Sequence, residues 1–516
     1  MCALVSSAIV SILLLGNCAF AANNDDHMSP SAQTNSATQA SQSSDPSTGP
    51  AANTNDPPPN TSPQQARQQA AQSPLSFKIG AAQFTPGGFL DAATFYRTKN
   101  VGSGLATSFG SVPFNNVVPQ GHLSETHISA QYSRLTLRVD ADLTHSTAIT
   151  GYVEADFLGF QPPNANITAN SDSLRLRIYW ADVKHAKWEF LAGQEWSLIQ
   201  PNRVGLSPST ADIFYTQNED PNFQVGLIWA RQAQFRLTYH ASKDWAIGVS
   251  VENPQQFVPA SVVFPAASFA SQFDNGSSST SAASSATNTA APDLLPDFVV
   301  KTAYDLHLGE RLFHLEASGL IRTFRAFNTL ATPAVTDTIT GGAASVNANL
   351  EVIKNLRVIA DSFWSDGGGR YTIGLGPDVI VKPNGDLSAV HSGAGLGGLE
   401  WQARTKLMLS GYYGGVFFGR NYGFLASTTP GASCAGFSGF SCVGFGFPGA
   451  DSTTNRTVRE ISADVIPTLW SSENYGKVQT IIQYSYLSRN PWFFSPTSPK
   501  DAHVSMFYVD FRYTLP

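Results

Sequence analysis

The chain has few charged side chains, which make up 13% of its 516 residues, about half the share found in soluble proteins. It also lacks any apolar run of about 18 residues, and this argues against a polytopic helical membrane protein. A net charge of −7 argues against a nucleic-acid partner. The sequence is instead rich in glycine, with 42 residues, and in aromatic residues, at 11%. These features indicate a large β protein.

The first 75 residues have the composition of a signal peptide and a tether. An apolar stretch, Ala8–Leu15, is too short to span a bilayer and precedes the small-residue cleavage pattern Ala19-Phe20-Ala21. The following segment has too few large apolar residues to offset its ordering entropy. We predict a signal peptide at 1–21, a disordered Ser/Ala/Asn/Gln/Pro-rich tether at 22–75, and a folded domain at 76–516.

Two cysteines, Cys434 and Cys442, lie outside the signal peptide. A pair this close in an exported chain indicates a disulfide that closes a small loop. His and Cys residues with metal-ligand spacing are missing around it. We therefore predict a disulfide there and expect no metal and no cofactor.

Apolar and polar residues alternate through most of the folded domain. In the last segment, Phe507, Val509 and Phe511 share one face, and Asp510 and Arg512 share the other. This period of two predicts β-strands with one apolar face. Sixteen such segments lie near 80–97, 127–142, 148–159, 173–184, 188–196, 224–239, 245–252, 296–305, 312–324, 338–352, 357–365, 391–402, 407–419, 456–468, 476–487 and 502–515.

The connections between these segments alternate between long and short. This alternation is typical of outer-membrane barrels, which have short periplasmic turns and long extracellular loops. A soluble sandwich shares the period of two but does not account for the low charge, the export signal and the connection lengths together. We predict a 16-stranded antiparallel transmembrane β-barrel at 76–516. Tryptophans near segment ends predict interfacial girdles; these are Trp180, Trp188, Trp196, Trp364, Trp401 and Trp470.

Several short motifs along the domain, and the order in which they occur, carry a family resemblance. They include Gly88-Phe89-Leu90-Asp91-Ala92, Ser133-Arg134-Leu135, Gly193-Gln194-Glu195-Trp196-Ser197, Arg231-Gln232-Ala233-Gln234 and Phe511-Arg512-Tyr513-Thr514-Leu515-Pro516. Together they resemble the DcaP-like outer-membrane porin family of Gram-negative bacteria. The resemblance implies a homotrimeric porin in the cell outer membrane, in contact with lipid and lipopolysaccharide. Some members of this family pass small carboxylate solutes.

Charged residues on the second, third and fourth segments fall at similar heights above the short turns. Four guanidinium groups against two carboxylates predict a positive lumen wall that favours anions. The alternative is that these groups pair internally and only stiffen the wall. The acidic residues are Glu154 and Asp156; the basic ones are Arg134, Arg138, Arg175 and Arg177, with Arg236, Arg322 and Arg512 as further inward candidates.

The third long connection, Ser197–Phe223, is the candidate constriction loop. It carries a mixed set of charges that we expect to face the arginines across the pore; these are Arg203, Asp212, Glu219 and Asp220. An ordinary surface loop is the alternative.

The predicted function is passive diffusion of small hydrophilic, anionic solutes. The alternative is a non-conducting barrel that serves as an adhesin or envelope tether. An enzyme is not expected. The sequence pattern Gly393-x-Gly395-x-x-Gly398 matches a dinucleotide-binding motif. It lies within a strand-like segment that no helix follows, so it does not predict such a site.

Overall fold

The computed structural model describes residues 73–159, 173–274, 291–450, 454–494 and 499–516. The predicted signal peptide and residues 22–72 of the predicted tether lie outside this range. Helical structure in the described residues consists of three 3-10 turns, Phe109–Ser111, Ala267–Gln272 and Gly369–Tyr371. No helix among these residues is long and apolar enough to cross a membrane.

In the described part of the chain, sixteen antiparallel wall strands, one of them in two pieces, form one closed sheet, which confirms the predicted barrel and its strand count. The first and last strands close it, pairing from Phe89 opposite Thr514 to Arg97 opposite Met506. The strands are β1 (Ala82–Arg97), β2 (Glu125–Ser129 and Arg134–Thr144), β3 (Thr147–Asp156), β4 (Arg175–His185), β5 (Trp188–Trp196), β6 (Arg231–His240), β7 (Trp245–Glu252), β8 (Asp297–Leu308), β9 (Arg311–Asn328), β10 (Val335–Ile353), β11 (Leu356–Asp366), β12 (His391–Arg404), β13 (Leu407–Phe418), β14 (Asn455–Ser472), β15 (Gly476–Pro491) and β16 (Ala502–Thr514).

Short strands outside the barrel wall form small hairpins. Phe77–Ile79 pairs with the start of β1. In the loops, Val379–Val381 pairs with Leu387–Ala389, Asn421–Ala426 with Phe440–Phe445, and Ser433–Cys434 with Phe437–Ser438. Cys434 and Cys442 are joined by a disulfide, with Cα atoms 5.1 Å apart.

The outer wall exposes large apolar side chains at every second position. On β16, Phe507, Val509 and Phe511 are 48%, 39% and 54% exposed, whereas Asp510 is 1% exposed. A water-facing sheet would show the reverse pattern. A closed barrel with this outer face pairs its backbone groups internally and presents hydrocarbon to lipid, as membrane-spanning strands require.

A β-bulge in β4 corrects the predicted facing of that strand. Arg177 is the extra residue, between Leu176 and Ile178 in the pairing with β3. Beyond the bulge the alternation reverses, so Ile178 and Trp180 are buried while Tyr179 is exposed. The period of two in the sequence predicts that Leu174, Leu176, Ile178 and Trp180 share the lipid-facing side. This prediction was wrong for Ile178 and Trp180, because one inserted residue shifts every later side chain to the other face.

Two further expectations are corrected by the structure. Trp180 and Trp196 are buried inside the barrel and do not belong to a girdle, whereas Trp188, Trp364, Trp401 and Trp470 are 45–59% exposed. The connection between β9 and β10 was predicted to be long, at 325–337. It contains only residues 329–334, because β9 and β10 extend beyond their predicted ends.

Candidate functional site

Three neighbouring strands bring arginines and carboxylates together on the inner wall. Arg134 on β2 lies opposite Asp156 on β3, and Asp156 lies opposite Arg175 on β4. The bulge in β4 adds Arg177 beside them. We call these residues, together with Glu154 and Arg231, the arginine cluster.

Ion pairs hold the arginine cluster at short distances. Arg177 donates through Nε to Glu154 at 2.7 Å and through Nη1 to Asp156 at 2.6 Å. Arg175 donates twice to Asp156, at 3.0 and 2.7 Å. Arg134 lies 3.5 Å from Glu154. Part of the predicted internal pairing is therefore present, since both carboxylates are engaged.

Arg231, at the start of β6, was not among the predicted site residues. Its guanidinium lies 5.1 Å from the ring of Trp196 and 6.0 Å from that of Trp229. Arg177 approaches the ring of Trp196 from another side, at 5.8 Å. No ion pair of Arg231 is found among the described residues. The resemblance motif Arg231-Gln232-Ala233-Gln234 was the available signal.

The arginine cluster carries an excess of positive charge. Four arginines face two carboxylates in this cluster. The side chain of Arg175 is 35% exposed and that of Arg134 is 16% exposed. Among the described residues, Nε and Nη2 of Arg134 have no hydrogen-bond partner. Both of these nitrogens are buried, so the 16% exposure of Arg134 comes from the rest of its side chain.

Three other predicted arginines, Arg138, Arg322 and Arg236, have partners outside this cluster. Arg138 pairs with Asp140 at 2.7 Å, so only three of the four predicted arginines surround Glu154 and Asp156. Arg322 pairs with Asp378 at 3.1 Å, in the loop after β11. Arg236 donates to the backbone oxygen of Trp196 at 2.6 Å. The sequence pattern was enough to predict that these side chains point into the barrel. It did not predict the groups with which they form ion pairs and hydrogen bonds.

The connection 197–230 between β5 and β6, which we call L3, folds into the barrel. Arg203 forms an ion pair with Glu400 on β12. Lys301 on β8 donates to the backbone oxygen of Gln200 at 2.6 Å, and the amide of Val225 donates to Glu460 on β14 at 3.0 Å. L3 is therefore fixed to distant parts of the wall.

The acidic residues of L3 also serve as anchors. Glu219 accepts from Arg512 on β16 at 2.6 Å. Asp220 accepts from Tyr508 at 3.1 Å and from the amide of Thr107 at 3.2 Å. The expectation that these charges face the arginines across an opening is corrected, because each one except Asp212 pairs with another part of the barrel or its loops.

Asp212 is buried within L3. The pKa of Asp212 is raised to about 8, mainly by burial and also by Glu189, whereas the Ser207 hydroxyl and Arg138 oppose the rise. The backbone oxygen of Asp212 accepts from the amide of Arg203 at 2.7 Å, which folds L3 back on itself.

Glycines allow L3 to lie directly against the wall. Gly226 has φ of +99°, and a Cβ there would lie 2.2 Å from the oxygen of Gly395 on β12. A Cβ at Gly414 on β13 would lie 1.8 Å from the oxygen of Val225. The glycine-rich run Gly393-x-Gly395-x-x-Gly398 thus lies in a strand, and Gly395 provides a contact surface for L3.

An apolar cluster fills the space between L3 and the wall. Its members come from L3 and from inward-facing positions of β4, β5, β11, β12 and β13; they are Ile178, Trp180, Leu191, Trp196, Ile213, Phe214, Phe223, Leu227, Ile359, Leu396 and Tyr412. Burial of this area adds to the polar anchors, so L3 has a fixed position in the lumen.

A cavity of about 230 Å³ lies between L3 and the first strands. Its lining includes Arg138, the stacked rings of Tyr152 and Trp180, and the hydroxyl residues Ser209 and Thr210 of L3. Glu154, a member of the arginine cluster, accepts a hydrogen bond from Tyr152. Tyr152 therefore lines the cavity and also contacts the arginine cluster.

The barrel is similar to the outer membrane channel DcaP of Acinetobacter baumannii, with a TM-score of 0.58 at 15% sequence identity. The match covers 86% of this chain and 100% of that chain. The chain has the fold of an outer-membrane porin.

Two other solved structures, a porin and an outer-membrane protein, match over a similar length. An anion-selective porin from Comamonas acidovorans is 10% identical with a TM-score of 0.44, and the match covers 84% of this chain and 100% of that one. OmpT of Vibrio cholerae is 11% identical with a TM-score of 0.43, and the match covers 85% of this chain and 99% of that one. Neither a protein-family model nor a curated protein matches the chain. The porin fold and the apolar outer wall identify an outer-membrane β-barrel.

Proposed function

We propose that this barrel is a porin for passive diffusion of small hydrophilic anions, with carboxylate-bearing solutes as the main class. Arg134 and Arg175 would provide the charge that attracts them. We also propose that the chain assembles as a homotrimer in the outer membrane and performs no enzymatic reaction. The likeness to a protein described as an outer membrane channel supports the porin part of this proposal.

One observation carries the proposal: the arginine cluster has more positive than negative charge on an inward-facing wall. The ion pairs within the cluster neutralise both carboxylates, and Arg231 and part of Arg134 remain without a charged partner among the described residues. In a narrow, low-dielectric channel such an excess raises the local concentration of anions. A guanidinium also matches the planar geometry of a carboxylate.

The position of L3 supports a path for anions beside the arginine cluster. The hydrogen bonds described above fix L3 to β8, β12, β14 and β16. Arg134 and Arg175, on β2 and β4, retain partial exposure on the remaining side of the lumen. A solute that passes between L3 and β2–β4 would therefore meet these two guanidinium groups.

Liposome swelling tests this proposal. Liposomes that contain the purified full chain are placed in isotonic solutions of a small carboxylate, a neutral sugar and an amine cation of similar size. We expect the carboxylate to enter faster than the cation. The Arg134→Gln/Arg175→Gln double variant should narrow this difference, whereas Arg404→Gln, at an exposed position next to a short turn, should not. Absence of swelling with every solute would favour the non-conducting barrel.

A further inference from the structure

Three acidic side chains from distant parts of the chain converge inside the barrel. Asp91 on β1, Glu219 in L3 and Asp510 on β16 each place a carboxylate oxygen within 4.8 Å of the other two. They are 4%, 0% and 1% exposed. Because β1 and β16 form the closing seam of the barrel, this acidic cluster joins L3 to the seam.

Arg512 balances only part of the negative charge. Its Nη2 lies 2.7 Å from Oδ2 of Asp91 and 2.6 Å from Oε2 of Glu219, and its Nε lies 3.6 Å from Oδ2 of Asp510. With all three carboxylates ionised, one guanidinium leaves two negative charges uncompensated. A buried charge of this size is costly unless a cation or protons neutralise it. A divalent cation carries the matching charge.

Several carboxylate oxygens of this acidic cluster lack a well-formed hydrogen bond among the described residues. They are Oδ1 of Asp91, Oε1 of Glu219 and both oxygens of Asp510. The Nε atom of Arg512 lies 3.6 Å from Oδ2 of Asp510, beyond hydrogen-bond length, and the Asp510 oxygens lie beside two other carboxylates. Buried polar atoms are nearly always satisfied, so these atoms indicate a missing partner.

The donor set favours calcium over other divalent ions. Ca²⁺ accepts carboxylate oxygens in a flexible geometry and completes its coordination with backbone oxygens or water. Zn²⁺ prefers nitrogen and sulfur ligands, and this group contains none. Mg²⁺ requires a near-ideal octahedron and usually takes only one or two carboxylates.

We propose that a Ca²⁺ ion binds Asp91, Glu219 and Asp510 and fastens L3 to the β1–β16 seam. Arg512 would hold the opposite oxygens of Asp91 and Glu219 and so orient these ligands. This site was not predictable from the sequence, because its ligands lie far apart along the chain and have no characteristic spacing. Calcium binding does not depend on conduction, so this proposal and the porin proposal can fail separately.

Equilibrium dialysis against Ca²⁺ tests the site. The full chain is refolded in detergent without lipopolysaccharide, whose phosphates bind divalent ions, and is first stripped with EGTA. We expect one saturable ion per chain. Asp510→Asn should weaken binding by at least about tenfold, as loss of a ligand does. Asp464→Asn is the matched control, because Asp464 is equally buried but pairs with the Ser410 hydroxyl at 2.7 Å.

Thermal unfolding of the wild-type chain provides a second measurement that needs no variant. Its midpoint should rise when Ca²⁺ replaces EGTA, because a ligand that binds only the folded state stabilises it. The rise should be smaller in Asp510→Asn, or in Asp91→Asn if the first variant does not fold. The proposal is overturned if the wild-type chain binds no saturable Ca²⁺, or if Asp510→Asn and Asp464→Asn bind it equally well.

Discussion

Arg203 of L3 and Glu400 of β12 form a two-point ion pair, with Nη1–Oε2 and Nη2–Oε1 distances of 2.6 and 2.9 Å. Both side chains are at most 10% exposed. The hydroxyl of Tyr412 donates to the same carboxylate at 2.7 Å. This pair therefore fixes the first part of L3 to β12 of the wall.

Removal of one partner of this pair should loosen L3. We expect Arg203→Gln to lower the free energy of unfolding by about 3 kcal/mol, because it leaves the carboxylate of Glu400 buried without its cation. Single-channel conductance should increase as L3 moves away from its position in the lumen. The double variant Arg203→Gln/Glu400→Gln should recover most of the stability. Equal stability and conductance in all three proteins would contradict the anchoring role.

The contact between L3 and the glycines of the wall offers a matched pair of variants. A Cβ at Gly414 would lie 1.8 Å from the oxygen of Val225, whereas a Cβ at Gly397 on β12 would have no neighbour within 4 Å. We expect Gly414→Ala to cost about 1–3 kcal/mol through overpacking and Gly397→Ala to have little effect. Urea unfolding of the refolded barrels measures both. Similar losses at the two positions would show that L3 does not press on β13.

The stability of L3 should depend on pH through Asp212. The pKa of this side chain is about 8 in the folded chain, mainly because of burial; Glu189 and Asp305 contribute to the rise, whereas Ser207 and Arg138 oppose it. The unfolded chain has the ordinary pKa near 3.9. Between these two values the folded state binds the extra proton, so the contribution of this group is fully present below about pH 4. It declines as the pH rises toward 8.

Asp212→Asn should remove this dependence. The variant should match the wild-type chain near pH 4 and exceed its free energy of unfolding at pH 8 by up to about 5 kcal/mol, since one pKa unit corresponds to about 1.4 kcal/mol and the two pKa values differ by about four units. Denaturant unfolding at several pH values provides the measurement. The same slope with pH in both proteins would assign the effect to another group.

The sequence predicted the barrel well because lipid imposes one simple rule on every strand. The bounds of β5 and β7 were predicted without error, and the clear alternation in β16 was enough to orient it. Where a strand contains a bulge, as β4 does at Arg177, the period of two is broken and the assigned faces were wrong beyond it.

The candidate site was less predictable, because its contacts are between residues that are distant in sequence. The heights of Arg134, Glu154 and Arg175 above their turns placed them together correctly. The partner of Arg203 was not predictable, since Glu400 lies on a strand far along the chain and no local pattern connects the two. Arg138 was assigned to the wrong carboxylates, because Asp140 on the same face is closer.

The reversal potential of the purified chain in a planar bilayer under a salt gradient tests the central claim most directly. The account predicts ohmic conductance with anion selectivity, and a shift toward cations in Arg134→Gln/Arg175→Gln that is absent in Arg404→Gln. Cation selectivity of the wild-type chain, or the same reversal potential in all three proteins, would contradict the role of the arginine cluster.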